Sequence, residues 1–96
     1  MIHSIVATIR VKPGQEAAFE AIARKLVAAV NANEPGCMLY TLNKGDDPQA
    51  YVFLERYQDE DAVKAHRATD HYRTHGKAMG AHMDGAPAIL RMKELA

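Results

Sequence analysis

The sequence predicts an α+β fold in the order strand, helix, strand, strand, helix, strand. Three observations carry this. Short runs of alternating apolar residues recur along the chain. Between the first two runs the apolar spacing changes to three or four residues. Clusters of Pro, Gly, Asn and Asp separate the segments.

Ile2 to Val11 is rich in β-branched residues (Ile5, Val6, Thr8, Ile9, Val11) and reads as the first strand. Lys12-Pro13-Gly14 stops it, because proline removes a ladder donor. From Gln15 to about Val30, Phe19, Ile22, Ala23, Leu26, Val27 and Val30 fall on one helical face. Glu16 suits the positive end of that helix. The stretch Asn31-Ala32-Asn33-Glu34-Pro35-Gly36 is expected to end it. Cys37 to Asn43 is the second strand, with Met38, Tyr40 and Leu42 expected on one face and Cys37, Leu39 and Thr41 on the other. A short turn, Gly45-Asp46-Asp47-Pro48, leads to a third strand from Ala50 to Tyr57, so these two should form an antiparallel hairpin. Asp59 can cap a short helix to about Arg67, and Thr69 or Asp70 a further helical segment to about Met83. Asp84-Gly85-Ala86-Pro87 breaks it, and Ala88 to Leu95 is the fourth strand.

This βαββαβ order is the ferredoxin-like arrangement, a four-stranded antiparallel sheet with helices on one face. Residues 1–96 make one domain's worth of chain. The other sheet face has nothing in this chain to cover it, and a second copy packed sheet on sheet would do so. A homodimer is therefore expected.

Composition narrows the function. The formal net charge is +0, without the basic excess of a nucleic-acid binder. The single cysteine, Cys37, permits no intrachain disulfide and suits a reducing compartment. Met1-Ile2-His3-Ser4 lacks a basic region followed by a long apolar run, so no signal peptide is expected, and no apolar stretch approaches membrane-spanning length. A cytoplasmic protein without nucleic-acid or membrane partners is expected. Phosphate-loop, dinucleotide, haem-attachment and nucleophile-elbow motifs are all missing.

The residues richest in chemistry run from Glu55 to Tyr72. Glu55 and Tyr57 share a face of their strand with Tyr51 and Phe53. If that face meets the helices, Glu55 lies near the level of His66. Burial would then raise the Glu55 pKa and lower that of His66, while pairing would favour both charged forms. From composition alone, His66 reads more readily as a polar boundary residue than as a catalyst, and the tyrosines as core-edge residues. His71 and His75 lie four apart, a spacing that can hold a metal. The glutamate of a zinc-protease motif is missing between them and no third ligand follows, so no metal site is expected.

Three stretches resemble the antibiotic biosynthesis monooxygenase family over nearly the whole chain. They are Val11-Lys12-Pro13-Gly14, Glu34-Pro35-Gly36-Cys37-Met38-Leu39-Tyr40, and Phe53-Leu54-Glu55-Arg56-Tyr57 followed by Asp59, Ala62, His66, Thr69, His71 and Tyr72. The resemblance implies a dimeric α+β barrel and oxidation of a small phenol or hydroquinone by O2 without flavin, haem, metal or any other cofactor. It implies catalytic roles for His66, as base or hydrogen-bond partner of the substrate oxygen, and for Glu55, which would orient His66 or share its proton. Tyr40, Tyr57, His71 and Tyr72 would line the substrate pocket. The run from Asp59 to Val63 with His66, Thr69, His71 and Tyr72 is also similar to an isomerase of a phosphorylated autoinducer, for which Arg67, Arg73 and Lys77 are available cations. Haem-degrading relatives use an asparagine and a tryptophan where this chain has Ala7 and His66, and the chain contains no tryptophan. A non-catalytic dimeric binding module is the third reading.

Overall fold

The computed structural model describes residues 1–96. It contains β1 (His3–Arg10), α1 (Glu16–Asn33), β2 (Cys37–Lys44), β3 (Ala50–Tyr57), α2 (Glu60–Ala68), α3 (Asp70–Gly80) and β4 (Ala88–Lys93). The strands form one antiparallel sheet in the order β2-β3-β1-β4. This is the expected ferredoxin-like α+β fold, with the second helical region divided at Thr69 into the two segments the capping residues predict.

Alternation decides which residues meet the helices. Ile5, Ala7 and Ile9 of β1 stand opposite Glu55, Phe53 and Tyr51 of β3, and all six are buried. Phe19, Ala23, Leu26 and Val30, spaced three or four apart on α1, pack onto this face. On the opposite face Val6 sits between Leu54 and Leu90. Leu54, Leu90 and Met92 remain 38%, 57% and 40% exposed, so that face is uncovered within the chain. No helix is long and apolar enough to cross a membrane.

Four boundaries or faces differ from expectation, each for a local reason. α1 continues to Asn33 rather than ending near Val30. The Asn33 side chain donates to the Ala29 carbonyl at 2.9 Å and Asn31 donates to the Tyr40 carbonyl at 3.3 Å, so both asparagines brace the last turn. β2 carries a bulge, in which Cys37 pairs with Tyr57 and Leu39 with Arg56, leaving Met38 as the extra residue. The bulge turns Cys37, instead of Met38, to the side of Tyr40 and Leu42, and Met38 is left exposed. α3 stops at Gly80 because the following residues pair with the end of β1. Lys12 donates its amide to the His82 carbonyl, Asp84 donates to Arg10, and Met83 bridges Val11. β4 closes at Lys93, leaving Leu95 exposed.

Gly36 lets the start of β2 pass beneath α2. A Cβ there would lie 2.8 Å from the Ala62 Cβ, inside any normal contact. Gly36→Ala is therefore expected to destabilise the fold by about 1–3 kcal/mol through overpacking. A urea melt checks this, and an unchanged midpoint would show that α2 yields freely.

Candidate active site

α2 begins at Asp59, whose carboxylate accepts from the Ala62 amide at 2.8 Å. Its last turn carries His66 inward, buried at 3% exposure. Thr69 then ends α2 and caps α3. Its hydroxyl donates to the His66 carbonyl at 2.7 Å and accepts from the Tyr72 amide at 3.2 Å. This break matters geometrically. On one continuous helix, residues five apart point about 140° away from each other. Restarting the helix at Thr69 lets His66 and His71 converge.

They converge on Glu34, at the C-terminal cap of α1. A carboxylate only accepts hydrogen bonds, so both imidazoles donate to it. His66 donates from Nδ1 at 2.9 Å and 3.0 Å to the two oxygens, and His71 from Nε2 at 2.5 Å. The Glu34 and His66 side chains are 9% and 4% exposed. With its proton held on Nδ1, neutral His66 has a bare lone pair on Nε2. That nitrogen has no protein partner and is not sealed from solvent, and the space that His66 lines is the adjoining cavity. The ring is enclosed by Tyr40, Tyr57 and Tyr72, with centroids 5.2, 5.5 and 4.8 Å away. Burial holds its pKa below the ordinary value of 6.5, against the hydrogen bond and charge of Glu34, which favour protonation.

The cavity, of about 480 Å³, lies between the sheet and the helices. Tyr40, Phe53 and Glu55 line it from the sheet, His66 from α2 and Tyr72 from α3. Glu55 is 8% exposed, and burial raises its pKa. The Tyr57 hydroxyl donates to its Oε1 at 2.6 Å and partly offsets that rise. Burial first, then the Glu55 carboxylate, push the Tyr40 and Tyr57 phenols well above their ordinary value. Both hydroxyls therefore stay protonated and can only hydrogen-bond. Arg67, Arg73 and Lys77 stand at the same cavity from α2 and α3.

The residues expected from the sequence are thus distributed over two layers. His66, Glu55, Tyr40 and Tyr72 reach the cavity. Tyr57 and His71 do not line it, because each is drawn back onto a buried carboxylate, Glu55 or Glu34. The expected pairing of Glu55 with His66 is not formed. Glu34 takes the His66 Nδ1 proton, and Glu55 is engaged by Tyr57. Glu34 is the functional candidate that sequence reasoning assigned no role. One signal marked it, since a glutamate at a helix C-terminus opposes the helix dipole and such a local conflict often flags a site. The expected spacing of His71 and His75 brings no metal-binding pair. Glu34, His66 and His71 instead place one ligand atom each within 4.8 Å of one another.

Comparison with known proteins gives a consistent picture. Residues 2–78 match the family model described as antibiotic biosynthesis monooxygenase. A Bacillus subtilis (strain 168) protein named "Putative monooxygenase YcnE" is 32% identical over 89 residues, 93% of each chain. A crystal structure from Caulobacter crescentus CB15, described as a "putative antibiotic biosynthesis monooxygenase", superposes with a TM-score of 0.95 at 40% identity. The match covers 99% of this chain and 91% of that one. PA3566 from Pseudomonas aeruginosa superposes with a TM-score of 0.89 at 28% identity, over 99% and 95% of the two chains.

Proposed function

The chain belongs to the antibiotic biosynthesis monooxygenase family, and on that premise we propose that it oxidises a small phenol or hydroquinone with O2 and without a cofactor. The observation that carries this reading is that His66 lines the cavity while its Nδ1 is held by Glu34, which leaves Nε2 as the nitrogen able to take a proton. A phenolic O–H placed there gives its proton to Nε2. The resulting phenolate is electron-rich enough to pass one electron to O2. Recombination forms a carbon–oxygen bond, and loss of water completes the reaction. For a hydroquinone the balance is hydroquinone plus O2 to hydroxyquinone plus water. The substrate supplies all the electrons, so the protein's task is to bind, deprotonate and exclude water.

Tyr40 and Tyr72 supply aromatic walls, with Phe53 beside Tyr40 at a centroid distance of 5.5 Å. Glu55 faces the same space and accepts hydrogen bonds from a second ring hydroxyl. The uncovered sheet face, with Leu54, Leu90 and Met92, supports a homodimer built sheet on sheet.

Oxygen consumption with a panel of hydroquinones tests the proposal. Uptake above the autoxidation rate, with one hydroxyquinone formed per O2, is expected. No uptake across a broad panel would overturn it. The three cations at the cavity favour a second reading, an isomerase that moves a proton on a phosphorylated hydroxyketone. Conversion of such a ketone without oxygen would select that activity.

The pH profile is a further check. Activity requires neutral His66, whose pKa lies below 6.5. The acid limb of kcat/KM should therefore fall below pH 6.5, with the rate lost as pH drops through the lowered value. The same sign holds for stability. The contribution of buried neutral His66 is present above its unfolded value and lost as pH falls through the folded one. An acid limb at or above pH 6.5 would remove His66 as the base.

A further inference from the structure

We propose that Glu34, His66 and His71 form a binding site for a single borderline transition-metal ion, of the Zn²⁺ or Co²⁺ class, and that the ion inhibits the enzyme. Three separate elements deliver the ligands, from the end of α1, the last turn of α2 and the first turn of α3. All three side chains are largely withdrawn from water, at 9%, 4% and 17% exposure. Two imidazoles and one carboxylate suit Zn²⁺ and Co²⁺ better than Mg²⁺ or Ca²⁺, which prefer oxygen cages. His71 is the most exposed of the three and gives the ion a route in.

The two contacts to Glu34 need little change to accept an ion, and the two imidazole nitrogens, which lie within 4.8 Å of each other, close to the same spacing around it. Bonds of about 2.0–2.1 Å in tetrahedral geometry place neighbouring ligand atoms about 3.3 Å apart. The His66–Glu34 contact at 2.9 Å and the His71–Glu34 contact at 2.5 Å open by less than 1 Å to meet that spacing. Each imidazole moves to its other ring nitrogen the N–H it now donates to Glu34, which frees on the Glu34 side the lone pair that binds the ion. Thr69 already fixes the α2–α3 junction that sets the two rings against each other. A water molecule or exogenous anion completes the coordination.

Inhibition follows from the tautomer and rests on the proposed role of His66. An ion on Nδ1 forces the ring proton onto Nε2. Nε2 then donates a hydrogen bond and can no longer take a proton from a phenol. The ion would thus occupy the back of His66 and switch off its front.

Isothermal titration of the EDTA-treated full chain with ZnCl2 tests the site without reference to turnover. One Zn²⁺ per chain is expected, and Co²⁺ should give the visible absorption of a four-coordinate site. His71→Ala and the near-isosteric Glu34→Gln should each weaken Zn²⁺ by about a hundredfold or more, since loss of an outer partner alone costs up to that factor. His75→Ala and His82→Ala should bind as wild type. Circular dichroism of each variant establishes that it is folded. Absence of saturable 1:1 binding, or wild-type affinity in folded His71→Ala and Glu34→Gln, would overturn the site. If Zn²⁺ binds as expected but oxygen uptake by an active preparation is unaffected, the inhibitory part is overturned. If no substrate is ever oxidised, the titration still decides whether the site exists.

Discussion

His66→Ala is expected to lower kcat for hydroquinone oxidation by roughly 10²–10⁴-fold, the usual contribution of a general base. The variant removes the only cavity-lining imidazole held in a fixed tautomer by a buried carboxylate. It also leaves Glu34 with His71 as its one remaining imidazole partner. The oxygen-electrode measurement therefore needs a companion variant. His66→Gln fills more of the space and offers Glu34 an amide donor, but cannot accept a phenolic proton at neutral pH. Both variants should lose turnover, while binding of a non-reactive aromatic ligand to His66→Gln stays within a few-fold of wild type. Retention of wild-type kcat in folded His66→Ala would place the base elsewhere, with Glu55 the next candidate at the cavity.

The largest expected effect on stability is at Phe19. Its side chain is fully buried on the inner face of α1 and packs against Tyr51 with ring centroids 4.9 Å apart. Phe19→Ala should cost about 3–5 kcal/mol, combining lost transfer energy with an incompletely filled cavity. Domains of this size have about 5–15 kcal/mol in total, so the variant should be close to unfolding at ambient temperature. Urea denaturation checks this. A loss below about 1 kcal/mol would mean that α1 collapses onto the sheet and fills the space. The active site is expected to suffer as well, because α1 also presents Glu34.

Phe19 also shows which features are legible in a sequence. Its helix declares itself through a periodic stripe, and β3 through strict alternation from Tyr51 to Tyr57, since repeating geometry leaves a repeating pattern. The division between α2 and α3 is likewise visible, in the capping residue Thr69. What periodicity cannot reveal is a one-residue interruption such as the Met38 bulge, which changes the face of Cys37 without changing composition. Nor can it pair side chains far apart in the chain. Glu55 and His66 are near in sequence and were expected to join. The partner that His66 takes is Glu34, 32 residues away and brought in by the fold of α1 against the sheet. The place of His66 at the buried face is readable from the sequence, and its carboxylate partner is not.

The bulge at the start of β2 has one more consequence. By turning Cys37 toward the core it leaves the chain's single thiol partly buried and within reach of the charges of Glu34 and Glu55. Burial, reinforced by those two carboxylates, pushes its pKa from 9.0 up to about 11. The nucleophilic thiolate is then roughly a hundredfold scarcer at neutral pH than for an ordinary cysteine. Peroxide and superoxide attack thiolates, and chemistry of the proposed kind releases such species whenever a radical pair escapes. The same inward turn that packs Cys37 against the core is therefore expected to protect the thiol from such species, and alkylation by iodoacetamide should be correspondingly slow.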